Sequence, residues 1–268
     1  MVEKTFSFGK NWQIFLKSLN EERIRNAESS LTEFLGLKDL QGKSMLDIGC
    51  GSGLFSYAAF NLGARQIISL DVDPFSVECC NYMHKKANSP PHWKIYEGSI
   101  LDNNFISKLG EFDIVYSWGV LHHTGNMWNA VKNSARLVRK EGYYYIAIYN
   151  RVEGRKGSML WLKIKELYNV SPKIGKHALE ILYILNYFIG HLIRFRNPIT
   201  NIINYKSQRG MKWRTDITDW LGGYPYEFAS VEEIFRFMKD NFPDFILENI
   251  KTDNGLGCNE FLYKRNKP

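Results

Sequence analysis

The sequence predicts an α/β protein with a doubly wound, mostly parallel seven-stranded sheet, an antiparallel last strand and an α-helical insertion. Three observations predict this fold class. Short strands and helices alternate between residues 44 and 149, the strands are nearly continuous apolar runs, and the alternation resumes after residue 228. Strands that are apolar on both faces are typical of parallel sheets covered by helices on each side.

Local patterns predict the individual elements. The first long helix is predicted at residues 20–35, because Asn20 can cap its start and Gly36 follows its end. Apolar and β-branched runs predict strands at residues 44–48, 66–70, 93–96, 113–117, 143–149, 245–252 and 258–264. Helical periodicity predicts further helices at residues 52–61, 74–86, 127–138, 158–168, 176–195 and 230–241.

The domain organisation follows from where this alternation stops. The 268 residues suffice for one α/β domain, formed by residues 1–150 and 229–268, and an inserted segment at residues 151–228. The insertion leaves the carboxyl end of the fifth predicted strand, and ligands of open parallel sheets bind beyond those ends. We therefore expect residues 151–228 to form a helical cap that contributes to a substrate site.

The positive charge of the chain is concentrated in this insertion. The formal net charge is +7, and eleven Lys and Arg residues between Arg151 and Arg209 stand against three acids, a surplus of eight. Such a segment suits an anionic small molecule, a nucleic acid or a membrane surface, or it is simply a solvated helix face.

The composition predicts a packed protein of a reducing compartment. Hydrophobic residues make up 44% and charged residues 24% of the chain, and its four cysteines form no disulfide framework. Residues 1–10 lack the apolar run of a secretory signal, so we expect a cytoplasmic protein. The most apolar stretch, residues 178–193, is short for a membrane span and contains Glu180. A buried cap helix is favoured there over a helix lying on a membrane surface.

The most informative motif is MLDIGCGSG at residues 45–53, where a strand runs into Gly49, Gly51 and Gly53 and a helix follows. Glycines allow a sharp turn and let a ligand lie close to the backbone. A dinucleotide-binding fingerprint would need a glycine where Leu54 stands, so the match to a nicotinamide or flavin site is imperfect.

The next two strand ends complete a nucleoside-binding pattern. Asp71 ends the second strand, where a carboxylate can accept hydrogen bonds from both ribose hydroxyls, and Val72 can face a flat ring. Ser99 and Ile100 follow the third strand and can contact an adenine. A glycine turn, a ribose acceptor and an adenine slot at three successive strand ends together form a specific pattern.

With these motifs, residues 46–150 resemble a class I S-adenosylmethionine-dependent methyltransferase, and residues 230–264 fit that family by pattern. The resemblance implies that S-adenosyl-L-methionine binds along the glycine turn, including Cys50, with Asp47 close by, and leaves as S-adenosyl-L-homocysteine. It also implies that residues 1–40 form a helical flap, with Lys10 and Trp12 near the cofactor. A sulfonium cofactor without phosphate tolerates acids in this turn; an NAD(P)-type oxidoreductase is the alternative.

The stretch SWGVLHHTGNMW, residues 117–128, follows the fourth predicted strand. In the family that it resembles, this strand lies beside the first, so Ser117 and Trp118 are expected to border the cofactor. His122 and His123 are candidates for a base or a substrate-orienting group, because imidazole with a pKa near ~6.5 can accept a proton at neutral pH. The alternative is that both are structural. No metal site is expected, because zinc needs three or four suitably spaced ligands.

The end of the insertion, residues 209–227, mixes aromatic and ionisable side chains that suit recognition of a polar ring, or that dock the cap on the core. Arg209 and Asp219 are candidate catalytic residues. The candidate substrate-binding residues are Asn150, Trp220, Tyr224, Tyr226 and Asn259.

Together these features predict a methyltransferase that O-methylates an anionic small molecule, such as a nucleotide-linked sugar or a phosphorylated surface-glycan precursor. The alternatives are a methyltransferase that modifies tRNA or another RNA, for which no aromatic RNA-binding signature is visible, and a quinone or lipid O-methyltransferase. No membrane span is expected, and contact with a membrane surface is left open.

Overall fold

A computed structural model describes residues 7–195, 197, 199, 200, 202 and 213–266, without the side chains of residues 214 and 215. The predicted catalytic residue Arg209 lies outside the described residues.

Seven strands form one sheet in the order β3-β2-β1-β4-β5-β7-β6. The strands are β1 Ser44–Ile48, β2 Gln66–Asp71, β3 Trp93–Glu97, β4 Phe112–Trp118, β5 Val138–Tyr149, β6 Phe245–Lys251 and β7 Cys258–Arg265. Strands β1 to β5 pair in parallel, whereas β7 runs antiparallel to both β5 and β6. The predicted doubly wound sheet with an antiparallel last strand is therefore confirmed.

Helices cover both faces of this sheet, over two separate hydrophobic clusters. The described helices are α1 Gly9–Leu16, α2 Glu21–Leu35, α3 Leu54–Asn61, α4 Pro74–Lys86, α5 Asn103–Ile106, α6 Met127–Ala135, α7 Ser158–Val170, α8 Lys173–Ile193, α9 Trp213–Gly222 and α10 Val231–Asn241. A 3₁₀ turn at Leu121–His123 follows β4. Burial of apolar side chains on both faces stabilises the sheet by the hydrophobic effect.

Capping residues set the helix limits where the sequence predicted them. The Asn20 side chain accepts a hydrogen bond of 3.0 Å from the Arg23 amide, and Gly36 ends α2 with φ 64°. Ser230 and Glu233 form a reciprocal capping box at the start of α10. Such caps satisfy the amide and carbonyl groups that a helix end leaves unpaired.

The largest local differences from the predicted elements lie around β5 and in the insertion. Strand β5 begins at Val138, earlier than predicted, and its pairing with β4 shifts register between Phe112 and Ile114. The early part of this strand is polar, so no apolar run marked it. Helix α6 correspondingly ends at Ala135. In the insertion, Trp213–Gly222 is a helix rather than the irregular aromatic segment expected from its composition.

The helices of the insertion pack on a small cluster of their own, formed by Tyr168, Ile217 and Leu221 with partly buried neighbours. Within the described ranges, no helix is both long enough and apolar enough to cross a membrane. The cap assignment of residues 151–228 stays a prediction.

Candidate functional site

A cavity of about 1130 Å³ opens at the carboxyl ends of β1, β2 and β4 and extends to α9. Strand β1 lies between β2 and β4, which is where the strand order reverses and where open α/β sheets bind ligands. The cavity is lined by fourteen of the predicted site residues: Trp12, Asp47, Gly49, Cys50, Gly51, Asp71, Val72, Ser99, Ile100, Trp118, His123, Asp219, Trp220 and Tyr224.

The three glycines of the turn after β1 have different roles. Gly49 and Gly51 line the cavity with φ values of 72° and 51°, a conformation that favours glycine. A Cβ at Gly51 would lie 2.8 Å from the Trp12 Nε1 atom, so the indole of α1 rests on the turn. Gly53 does not line the cavity; a Cβ there would lie 2.8 Å from the Cα atom of Cys80, so this glycine lets α3 approach α4.

Asp71 lies at the end of β2, and both oxygens of its carboxylate accept hydrogen bonds from backbone amides. Its Oδ2 atom accepts from the Gly51 amide at 2.9 Å and its Oδ1 atom accepts from the Asp73 amide at 2.9 Å. Burial raises the pKa of Asp71, and these amide hydrogen bonds lower it. The neighbouring Val72 is 65% exposed and presents an apolar surface to the cavity.

A second acid, Asp47, lies deeper in the same cavity. It is buried, and its Oδ2 atom accepts a hydrogen bond of 2.5 Å from the Ser56 hydroxyl. Burial and, to a smaller extent, the nearby Asp71 charge raise the pKa of Asp47 to about 7, although the hydrogen bond from Ser56 lowers it. The buried hydroxyl of Tyr116, which pairs in register with Asp47, also lines this end and has no hydrogen-bond partner among the described residues.

Helix α1 covers the cavity and connects its two ends. The Ser7 hydroxyl and the Gly9 amide both donate to Asp73, at 2.8 Å and 2.9 Å. These bonds fix the start of the helix beside Asp71 and Val72, at the predicted nucleoside end of the cavity. The Asn11 amide donates to the Asp219 carboxylate on α9. Lys10 is exposed and lies 5.3 Å from the Phe75 ring, outside the cavity lining.

His122 is fully buried and keeps a fixed tautomer. Its Nδ1 atom accepts from the Tyr149 amide at 3.2 Å, so the proton of the neutral ring is on Nε2, which has no partner among the described residues. Burial lowers the pKa of His122 well below its ordinary value, with the charges of His123 and Lys165 adding to the effect. The ring packs on Tyr149 at 3.9 Å between centroids and does not line the cavity.

His123 lines the cavity in the opposite tautomer. Its Nδ1 atom donates to the Pro225 carbonyl at 2.6 Å, because a carbonyl oxygen can only accept, and the Nε2 lone pair is left to accept a hydrogen bond. Burial lowers the pKa of His123 to about 4, so the ring is neutral at neutral pH. Such a ring orients a hydroxyl well but is a weak proton acceptor.

Asp219 lies on α9 and contributes a second acid–base group. Burial and the Asp216 charge together raise its pKa to about 7, although the Asn11 hydrogen bond and the Lys165 charge lower it. Beside it, Lys165 of α7 is only 1% exposed and its Nζ atom donates to the Trp220 carbonyl. Burial lowers the pKa of Lys165 to about 7. The sequence analysis missed Lys165, although it shares a helix face with Trp161 and Tyr168.

Several predicted residues support the cavity from outside its lining. The Ser117 hydroxyl donates to the Ile48 carbonyl at 3.1 Å. Asn150 Nδ2 donates to the Asp253 carbonyl at 2.9 Å, and Asn259 Nδ2 donates to Asn150 Oδ1 at 3.0 Å, so the pair holds the β6–β7 turn. Tyr226 is buried, 5.2 Å from the Tyr149 ring.

The lining of the cavity is acidic. Its carboxylates are Asp47, Asp71, Asp73, Asp216, Asp219, Asp253 and Glu260, and Lys251 is the one Lys or Arg on the described lining. Five bases of the insertion, Arg155, Lys156, Lys163, Lys173 and Arg194, are exposed to solvent instead. The cavity therefore suits a cationic or neutral ligand better than a phosphate. In the described part of the chain no three His, Cys, Asp or Glu side chains are placed to hold a metal ion.

The chain is similar in sequence to known methyltransferases. Residues 46–146 match the family described as methyltransferase domain. The chain is 25% identical over 161 residues to a ubiquinone biosynthesis O-methyltransferase of Pelagibacter ubique and 30% identical over 118 residues to one of a Methylobacterium species. These matches cover 56% and 44% of this chain, and 65% and 45% of the relatives' lengths.

A solved structure has the same fold. Magnesium protoporphyrin IX methyltransferase from Synechocystis PCC 6803 with bound S-adenosylhomocysteine superposes with a TM-score of 0.53 at 13% identity, over 93% of this chain and 86% of that chain. At this identity the likeness concerns the fold.

Proposed function

This chain carries a class I, Rossmann-like methyltransferase domain, and we propose that it transfers a methyl group from S-adenosylmethionine to a hydroxyl group of a small molecule. The observation that carries the proposal is one continuous cavity. It runs from the glycine turn and Asp71 to two acid–base groups, His123 and Asp219.

The residues of the nucleoside end fit the cofactor. Asp71 offers carboxylate oxygens at the end of β2, and Val72, Ser99 and Ile100 form a mixed apolar and polar wall beside it. The unpartnered Tyr116 hydroxyl and the buried Asp47 can satisfy the polar amino-acid part of such a ligand. A dinucleotide fits worse, because its pyrophosphate would lie against two carboxylates.

S-adenosylmethionine, when bound, supplies a methyl group on a positively charged sulfur that is open to in-line displacement. The chain's own residues position the acceptor and exclude water. Helix α1, through Trp12 on the glycine turn and Asn11 on Asp219, closes the space over the cavity. The His123 Nε2 lone pair orients an acceptor hydroxyl as a hydrogen-bond acceptor.

Asp219 is the better candidate to take the proton of that hydroxyl. A general base works best with a pKa near the working pH, and the pKa of Asp219 is raised to about 7 whereas that of His123 is lowered to about 4. On transfer, the acceptor oxygen gains the methyl group and its proton passes to the Asp219 carboxylate. Lys165 beside it favours the ionised form of Asp219.

The substrate is proposed to be neutral or cationic rather than anionic. The basic insertion suggested an anionic substrate, but five of its described bases are exposed to solvent and the cavity lining is acidic. Aromatic side chains of the substrate end, Tyr149, Tyr183, Trp220 and Tyr224, favour a flat or ring-shaped acceptor such as a phenol or a sugar.

A second candidate is O-methylation of a quinone-type lipid. It is supported by the similarity to ubiquinone biosynthesis O-methyltransferases and by the exposed apolar side chains of α8. RNA modification has weaker support, because the acidic lining disfavours a phosphate backbone near the site.

The experiment is incubation of the purified protein with methyl-labelled S-adenosylmethionine and fractionated cell extracts, separated into polar metabolites, lipids and RNA. The proposal predicts label in a small-molecule fraction that survives base hydrolysis as an ether. Label confined to RNA, or none in any fraction at saturating cofactor, would contradict it.

A further inference from the structure

The outer face of α8 is an apolar stripe that no described residue covers. Its exposed side chains are Ile174, Ile181, Leu182, Leu185, Ile189, Leu192 and Ile193, each more than half exposed. Successive members are one, three, four or seven positions apart, which places them on one side of the helix. The opposite side, with Leu179, Tyr183 and Ile184, packs on the hydrophobic cluster of the insertion. Helix α8 is thus anchored on one face, and no described residue packs on its second apolar face.

We propose that this stripe docks on the surface of an anionic phospholipid membrane. Positive charge stands at both ends of the stripe, with exposed Lys173 at its start and exposed Arg194 at its end. On the neighbouring helix α7, Lys163 and Glu166 are both exposed, so the positive charge beside the stripe comes from the ends of α8. An apolar face bordered by Lys and Arg is the pattern of helices that lie in a lipid headgroup region, where the bases meet lipid phosphates.

The acidic residue of α8 is turned away from this surface. Glu180 accepts a hydrogen bond of 2.7 Å from the Tyr168 hydroxyl of α7 and is 13% exposed. It therefore lies between the two helices, and the outer face of α8 presents no carboxylate. An outward acid would be repelled by anionic lipid, so its placement is consistent with this partner.

A second copy of the chain fits this face less well. Closed dimers bring the same patch of both subunits together. Pairing two α8 helices antiparallel would place Lys173 of one copy near Arg194 of the other, and parallel pairing would place like ends together. Either arrangement brings positive charges together, whereas anionic lipid neutralises them. Since no described helix can cross a membrane, docking places α8 along the surface.

Co-sedimentation of the full chain with vesicles tests this inference. The probes are vesicles of phosphatidylcholine alone and of phosphatidylcholine with phosphatidylglycerol, each at low and high salt. We expect binding to the anionic vesicles, weakened by salt, and little binding to the neutral ones. The doubly substituted variant Leu185→Glu with Ile189→Glu should lose at least about tenfold in partitioning.

Two controls keep the test decisive. Tyr82→Glu replaces an exposed apolar residue on α4 and should leave partitioning unchanged. The double variant Lys173→Gln with Arg194→Gln removes charge without changing the apolar stripe, and it should reduce binding to anionic vesicles. It keeps the test valid if circular dichroism shows that the variant Leu185→Glu with Ile189→Glu is poorly folded. Cofactor binding, measured on the same samples, should be unchanged, so the result is independent of the proposed function.

Three outcomes overturn the proposal: no sedimentation with anionic vesicles, equal sedimentation with neutral ones, or binding insensitive to both variants. A dimer that is seen by analytical ultracentrifugation and is abolished in the double variant Leu185→Glu with Ile189→Glu would identify a second copy as the occupant instead.

Discussion

The Asn11 side-chain amide donates a hydrogen bond to the Asp219 carboxylate, although the two residues are 208 positions apart in the chain. This bond connects α1, which covers the glycine turn through Trp12, with α9, which carries the candidate base. Helix α1 therefore contacts both the glycine turn and the candidate base, and its Asn11 hydrogen bond lowers the pKa of Asp219.

The Asn11→Ala variant tests this connection. A hydrogen bond to the ionised carboxylate lowers its pKa, so its loss should move the pKa of Asp219 above about 7. The rate of methyl transfer rises with pH as the base ionises, so the midpoint of the pH–rate profile should shift upward. Gln13→Ala is the matched control, because the Gln13 amide on the same helix donates to exposed Glu78. An unshifted midpoint in Asn11→Ala would exclude Asp219 as the group that titrates.

The two adjacent histidines should respond differently to substitution. His123→Ala removes a ring that lines the cavity, and we expect kcat to fall by about 100-fold with a small change in thermal stability. His122→Ala empties a fully buried position and should reduce the free energy of unfolding by about 2–4 kcal/mol. Denaturant unfolding and steady-state kinetics on both variants measure the contrast. Equal losses of activity per folded molecule would show that His122 also reaches the substrate.

The Gly51→Ala variant tests the contact between α1 and the glycine turn. The added methyl group would lie 2.8 Å from the Trp12 indole nitrogen, so the indole must move. We expect at least about tenfold weaker cofactor binding and a changed tryptophan emission spectrum. Gly110→Ala is the control, because Gly110 has a similar positive φ of 78° and open space around its Cβ position. Identical behaviour of the two variants would mean that only backbone strain matters.

Affinity for S-adenosylmethionine should depend on pH through Asp47. Its pKa is raised to about 7, so the carboxyl is largely protonated below that pH and ionised above it. An ionised carboxylate attracts the cationic sulfonium, and affinity should therefore increase from pH 6 to pH 8. S-adenosylhomocysteine lacks the sulfonium charge and should show a smaller increase. Asp47→Asn should flatten the curve for both ligands, and a steep curve in that variant would assign the titration elsewhere.

Sequence patterns predicted the sheet correctly, because its strands depend on local chemistry, and they also placed the predicted nucleoside-binding residues at its strand ends. Apolar runs define β1 to β4, and the glycine turn and Asp71 must stand where the backbone bends and where β2 ends. The polar start of β5 and helix α9 were missed, since only tertiary packing distinguishes them from loops.

The acceptor end of the cavity was less predictable. Asp219 and His123 were identified by residue type, but their environment depends on burial and on partners far away in the chain. The different tautomers of His122 and His123 come from the Tyr149 amide and the Pro225 carbonyl. Lys165 looks like an ordinary solvent-facing lysine of an amphipathic helix until the packing of α7 against α9 places it inside. The charge surplus of the insertion did not predict the charge of the described cavity lining, because five of the described bases are exposed and do not line the cavity.

We propose that a sulfonium nucleoside lies along the glycine turn with its ribose held by Asp71. Isothermal titration calorimetry of the purified chain with S-adenosylmethionine tests it most directly, with NADH as the competing ligand and Asp71→Asn as the matched variant. We expect saturable binding of one S-adenosylmethionine per chain, weakened at least about tenfold in Asp71→Asn, and no heat with NADH. Binding of NADH without binding of S-adenosylmethionine would contradict it.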